Sequence, residues 1–115
     1  MKTIILFLLA NLFLFNTLTS QKTYVPDDNF EQALITLGHD TGPLDDSVTT
    51  LNIQNITSLV INGKNISNLI GIEDFRDLTF FSCVGNNLTN LDVSMNLAIT
   101  NLICISNNLT SLDVT

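Results

Sequence analysis

Two cysteines, Cys83 and Cys104, have the widest range of possible chemistry in this sequence. They lie 21 residues apart, at equivalent places in two successive units of an internal repeat. In an exported protein, two cysteines suggest one disulfide. On neighbouring parallel strands, however, both side chains point the same way, which matches poorly the ~90° torsion of a disulfide. We therefore favour buried free thiols that pack as small hydrophobes, and a nucleophile is disfavoured because neither cysteine has a plausible base nearby.

The other titratable side chains of interest lie in the N-terminal half of the sequence. His39 is the only histidine, and by itself it supports neither catalysis nor a metal centre. Several carboxylates could gather around calcium, which prefers oxygen ligands, although no EF-hand spacing is present and acidic loops are usually only hydrated. These carboxylates are Asp27, Asp28, Asp40, Asp45 and Asp46. We predict no enzymatic activity and no cofactor.

The triplet Asn-x-Ser/Thr occurs at Asn55, Asn65, Asn87 and Asn108. In a eukaryotic secretory pathway these asparagines would be candidates for N-glycosylation. Three of the triplets recur because the internal repeat contains them, so exposed turn asparagines are the alternative interpretation.

An internal repeat organises the second half of the chain. Residues 78–94 and 99–115 are identical at nine of seventeen positions, and residues 56–72 align with them 22 residues earlier. Apolar residues recur at positions 1, 4, 6 and 11 of each unit, and positions 4 and 6 have the alternation of a strand with one face turned inward. We divide the region 56–115 into units 56–77, 78–98 and 99–115, the last of them incomplete.

Position 9 of the unit is Asn86 and then Asn107, whereas the first unit has Lys64 there. An inward asparagine can bond backbone groups that a tight coil would otherwise bury without partners. Stacked units would form a ladder of these side chains, with Cys83 and Cys104 lining the interior beside them. We expect this ladder to begin at Asn86.

The pattern L-x-x-L-x-L-x-x-N-x-L carried by these units is that of leucine-rich repeats. The stretch LTFFSCVGNNLTNLDVSMN, in particular, resembles the short 21-residue repeats of secreted bacterial surface proteins. This resemblance implies a solenoid with short parallel strands on its concave side and an extended or 3₁₀ outer side. It also favours exposed turn asparagines over glycosylation at the Asn-x-Ser/Thr triplets.

Residues 21–55 are predicted to form an N-terminal cap. Phe30, Ala33, Leu34 and Leu37 make one helical stripe, so we expect a helix over about 28–37. Asp28 with Glu31 would form a capping box, Gly38 would end the helix, and a loop would follow over 39–50. Leu51–Ile53 is expected to add a short strand.

Residues 1–20 have the layout of a signal peptide: Lys2, an apolar core from Ile4 to Phe15, and a polar flank. A retained signal anchor is the alternative, although the core is shorter than the ~20 residues of a membrane span. The rest of the chain has eleven acidic and three basic side chains, a formal charge of −8. That charge disfavours nucleic acid and anionic lipid as partners. We predict secretion or surface display, with no membrane insertion after cleavage and an undetermined oligomeric state.

The concave face of leucine-rich repeats usually binds partners, so the outward strand positions are the candidate contacts. They are Val60, Phe80, Ser82, Val84, Asn101, Ile103 and Ile105. Their apolar character favours a contact patch for a protein or glycan, and the alternative is a sheet covered by nearby chain. We predict an extracellular recognition or adhesion module; a spacer that binds nothing and the N-terminal part of a secreted enzyme are the alternatives.

The third unit stops just after its second strand-like segment, with Leu109, Leu112 and Val114 facing no further coil. The stability of stacked repeats is a sum of neighbour interfaces, and this chain has few of them. We therefore expect a parent protein with more repeats, and end-to-end dimers are the alternative.

Overall fold

A computed structural model describes residues 21–115. The predicted signal peptide, 1–20, lies outside them. The elements are β1 (Lys22–Tyr24), α1 (Asp28–Thr36), β2 (Ser47–Thr49), α2 (Thr50–Ile53), β3 (Ser58–Val60), a 3₁₀ helix (Ile72–Asp74), β4 (Phe80–Ser82), β5 (Asn90–Asp92), β6 (Asn101–Ile103) and β7 (Ser111–Asp113). Among the described residues, no helix has the length and apolar character needed to cross a bilayer.

The repeat units stack as parallel coils. Strands β3, β4 and β6 form one parallel sheet in which Leu59, Phe81 and Leu102 are register partners. Leu59 and Phe81 are buried and Leu102 is half-buried, so the predicted inward face exists. The repeat solenoid predicted from the apolar spacing is confirmed.

The outer side of the solenoid changes between repeats. In the first repeat, Ile72–Asp74 forms the 3₁₀ helix, which follows Gly71 in a left-handed conformation. In the second and third repeats the outer side is extended, and β5 pairs with β7 in a separate parallel sheet. The two outer geometries that the short repeat allows, 3₁₀ and extended, therefore both occur.

Helix α1 covers the first coil, but two details of its prediction are wrong. The N-cap is Asp27, whose Oδ1 accepts a hydrogen bond from Phe30 N at 2.9 Å, and Glu31 turns away from the helix start. The helix ends at Thr36 and Gly38 follows with φ +85°, so Leu37 leaves the buried stripe and is exposed. Phe30 stacks on Phe75 with ring centroids 6.2 Å apart, which joins the cap to the repeats.

The segment expected to be a loop and then a strand has a different structure. Ser47–Thr49 forms β2, which pairs antiparallel with β1. Leu51–Ile53 is not a strand, because it lies in helix α2, where Gln54 N donates to Thr50 O at 3.0 Å. Thr50 and Ile53 are both buried, and a spacing of three residues brings them to the same side only in a helical turn.

Candidate binding surface

The concave sheet carries an exposed apolar strip, which we call the concave strip: Val60, Phe80, Val84, Ile103 and Ile105. Val60, Ile103 and Ile105 are 48%, 39% and 67% exposed, and Phe80 and Val84 are half-buried. The sheet register aligns Val60, Ser82 and Ile103 across the three strands. Beyond the strands, Gly63 N donates to Val84 O and Gly85 N to Ile105 O, so the coils stay in step there too. The residues of the strip therefore lie on one side of adjacent repeats that are held in register.

Ser82 lies on the outward side of the sheet, in register with the exposed Val60 and Ile103, but it is covered by its neighbours and offers no contact surface. It is only 4% exposed, because it lies in the central strand and its Oγ donates to Asn62 Oδ1 at 2.8 Å. The same Asn62 oxygen accepts from Val84 N at 2.8 Å, so this amide ties the first repeat to the second. Asn101, in the same row as Phe80, is exposed.

Asn86 holds the coil beneath the strip. Its side-chain Nδ2 donates to Ile61 O at 2.8 Å and to Cys83 O at 3.0 Å. Its Oδ1 accepts from Lys64 N at 2.9 Å and from Ile66 N at 3.1 Å. One buried amide thus satisfies four main-chain groups in two successive turns.

Asn107 continues the pattern one repeat later. Its Nδ2 donates to Cys83 O at 2.9 Å and Cys104 O at 3.0 Å, and its Oδ1 accepts from Leu88 N at 3.1 Å. The carbonyl of Cys83 accepts from both asparagines, so the two amides are linked through one backbone group.

A buried asparagine on the outer side, Asn96, was not predicted as part of a ladder. Its Nδ2 donates to Ile72 O at 2.7 Å and to Phe75 O at 3.2 Å, in the preceding coil. The sequence contained the signal, because Asn96 follows Asn86 by ten residues within a unit whose second half resembles its first. The second unit, 78–98, therefore has a bonding asparagine at both of its turns, Asn86 and Asn96.

Both cysteines are free thiols. Cys83 is fully buried and Cys104 is half-buried. Burial raises the pKa of the Cys83 thiol to about 12, and the neighbouring Cys104 adds to the shift. Since the thiolate is the reactive species, Cys83 is inert in the folded chain.

We expect iodoacetamide at pH 8 to alkylate Cys104 well before Cys83. The alkylation rate of Cys83 should be lower than that of Cys104 by a factor of about a hundred or more. Mass spectrometry of peptides from a timed reaction measures both rates in one sample. The urea-unfolded chain is the control, in which the two cysteines should react alike. Equal rates in the folded chain would mean that Cys83 is not enclosed by neighbouring coils.

Acidic residues of the cap gather in two groups that share Glu31. Glu31 is buried, and its two carboxylate oxygens accept from Asp45 N at 2.8 Å and Asp46 N at 3.0 Å. One group is Asp28, Glu31 and Asp46 and the other is Glu31, Asp40 and Asp45. Within each group, one carboxylate oxygen from every residue lies within 4.8 Å of the others. Hydrogen bonds from Ser47 lower the pKa of Asp45. The sequence did not identify Glu31 as the anchor of this loop.

The remaining candidate residues are Asp27, His39 and the asparagines of the Asn-x-Ser/Thr triplets. Asp27 joins the cap to the first repeat, because its Oδ2 accepts hydrogen bonds from Ser67 N at 2.9 Å and from Asn68 N at 3.1 Å. His39 is half-buried directly after α1 and its backbone N donates to Leu34 O. The asparagines of the four Asn-x-Ser/Thr triplets are all exposed: Asn55, Asn65, Asn87 and Asn108.

Comparison with known proteins agrees with this architecture. No protein-family model matches the sequence. Internalin J of Listeria monocytogenes is 37% identical over 73 residues, which are 64% of this chain and 8% of that protein. The chain therefore spans less than a tenth of the length of this relative.

Two solved structures from the same species are similar in fold and sequence. The functional domain of InlJ, described as including a cysteine ladder, has a TM-score of 0.71 and 34% identity, covering 84% of this chain and 22% of that one. The internalin InlF has a TM-score of 0.62 and 25% identity, covering 77% of this chain and 30% of that one. In this chain, Cys83 and Cys104 lie at equivalent places in successive coils. The chain is a leucine-rich repeat protein, homologous to Internalin J and similar in structure to the internalin repeat domains.

Proposed function

We propose that this chain is an extracellular recognition or adhesion module that binds a protein or glycan through the concave strip. The observation that carries the proposal is the exposure of Val60, Ile103 and Ile105 on the outward side of the parallel sheet and of the turn that follows it. Apolar side chains grouped on an otherwise polar surface are typical of interaction sites. The module works by surface complementarity, and export by the signal peptide places it outside the cell.

The geometry favours recognition because the strip is organised in advance. Its strands are fixed by parallel pairing and by the amides of Asn62, Asn86 and Asn107, so binding would order little further chain. Pre-organised surfaces lose less entropy on association. The net negative charge of the chain disfavours nucleic acid and anionic lipid as partners.

A double substitution tests this proposal. We expect Phe80→Ser with Ile103→Ser to weaken partner binding about tenfold or more, because each removes an apolar anchor of roughly 1–2 kcal/mol. Partners are captured from the exterior of candidate cells on the immobilised full chain, identified by mass spectrometry, and then titrated as pure components.

The matched control is Leu51→Ser, an exposed leucine in the cap, outside the strip. It should leave affinity unchanged, and circular dichroism should show the same thermal unfolding for both variants. Equal affinity of the double variant and the original chain would contradict binding through the concave strip. If no captured component binds the full chain when it is titrated in pure form, the result would support the spacer alternative instead.

A further inference from the structure

A groove opens on the outer side of the solenoid, away from the concave strip, where the first and second repeats are not joined by main-chain hydrogen bonds. In the first repeat, Asp27 Oδ2 accepts from Ser67 N and Asn68 N, and Ile70 N donates to Asn68 Oδ1 at 2.7 Å. In the second repeat, β5 pairs only with β7. The outer sheet therefore stops at β5, and a depression of about 370 Å³ lies between β5 and the first repeat.

The floor of this depression is apolar and so is part of its rim. Leu69, Ile72 and Leu91 are buried beneath it, and Ile70 and Met95 border it with 46% and 69% of their surfaces exposed. A second depression of about 360 Å³ shares Glu73 and Met95 with the first and adds Leu97, which is 87% exposed. The two form one continuous outer groove.

Carboxylates flank these apolar side chains. Glu73 and Asp92 are exposed at the first depression, and Asp74 borders the second together with Arg76, the only basic residue of either lining. The hydroxyl of Ser94 donates to Asp92 and lowers the pKa of that carboxyl, so it stays ionised well below neutral pH. The groove thus combines an apolar centre with net negative charge.

We propose that the outer groove binds a cationic peptide segment, with an apolar side chain seated between Ile72 and Met95 and basic side chains facing Glu73 and Asp92. Charge complementarity selects this occupant: the carboxylates attract Lys and Arg and repel phosphate, anionic lipid and acidic peptides. The apolar floor adds burial that a purely polar cation would not gain. This site is separate from the concave strip and does not depend on it.

The experiment uses three fluorescein-labelled twelve-residue peptides of defined sequence: alternating Lys–Leu, alternating Glu–Leu and alternating Lys–Ser. Fluorescence anisotropy measures their binding to the full chain. We expect the Lys–Leu peptide to bind at least tenfold more tightly than either other peptide. Its affinity should fall with added salt, since ionic strength screens exposed charges.

Variants then locate the binding. Met95→Ser with Leu97→Ser, and separately Glu73→Gln with Asp92→Asn, should each weaken Lys–Leu binding about tenfold. The control is Ile103→Ser with Ile105→Ser on the concave strip, which should leave it unchanged. Absence of Lys–Leu binding, or equal losses in all three variants, would overturn the proposal. Because the control alters only the concave strip, failure here is distinguishable from failure of the proposed function.

Discussion

Replacing Asn86 by alanine is expected to lower the free energy of unfolding by about 4 kcal/mol or more, because four main-chain groups lose their partners and each buried orphan costs ~1–3 kcal/mol. Those groups lie in two successive coils, at Ile61, Lys64, Ile66 and Cys83. In a domain of this size, such a loss lowers the melting temperature by roughly 15 °C or more. Urea denaturation followed by circular dichroism measures it.

The control for this prediction is the neighbouring Asn87→Ala. Asn87 is the same residue type on the same turn, but its side chain is exposed. Its replacement should change stability by less than ~0.5 kcal/mol. Similar losses for both variants would mean that the Asn86 amide does not hold the coils together.

Replacing Gly71 by alanine is expected to cost about 3–5 kcal/mol. Gly71 has φ +105°, which alone costs a residue with a side chain ~1–3 kcal/mol. An added Cβ would also lie 2.7 Å from Tyr24 O and 2.9 Å from Val25 Cγ2. Tyr24 O belongs to the backbone, so the cap must move away from the first repeat to relieve the overlap, which adds ~1–3 kcal/mol.

Gly63→Ala separates the two contributions. Gly63 also has a positive φ, of +64°, but an added Cβ would meet nothing within 4 Å. Gly63→Ala should therefore lower the free energy of unfolding only by the cost of the left-handed backbone conformation, about 1–2 kcal/mol. Denaturation midpoints of the two variants give the comparison. If Gly71→Ala were no worse than Gly63→Ala, close packing of cap and repeat at Gly71 would be refuted.

The solenoid was predictable because its determinants are local and repeated. Apolar residues at fixed places in each unit, with Asn86 and Asn107 at matching turns, permit one stacking register, and the structure confirms that fold. Periodicity does not predict which hydrogen-bond partners the polar side chains of a given turn have. Ser82 lies on the outward face, as alternation predicts, yet it is covered there, and Asn62 of the neighbouring coil accepts a hydrogen bond from its hydroxyl.

The cap was less predictable because it does not repeat. The apolar stripe of α1 was visible in the sequence. Whether Asp27 or Asp28 is the N-cap, however, depends on the first repeat, where Asp27 also accepts hydrogen bonds from Ser67 N and Asn68 N. Glu31 was interpreted as a local helix cap, whereas it holds a loop 14 residues away. Such choices depend on contacts between distant segments, which spacing in the sequence does not encode.

The most direct test of the account concerns the coils themselves. Hydrogen exchange of asparagine side-chain amides, followed by nuclear magnetic resonance, compares inward and outward positions within one molecule. Stacking in register predicts slow exchange for Asn86 and Asn107, with nuclear Overhauser contacts from the Asn86 amide to Ile61 and Cys83, and fast exchange for Asn87 and Asn108. Equally fast exchange at all four asparagines would contradict it.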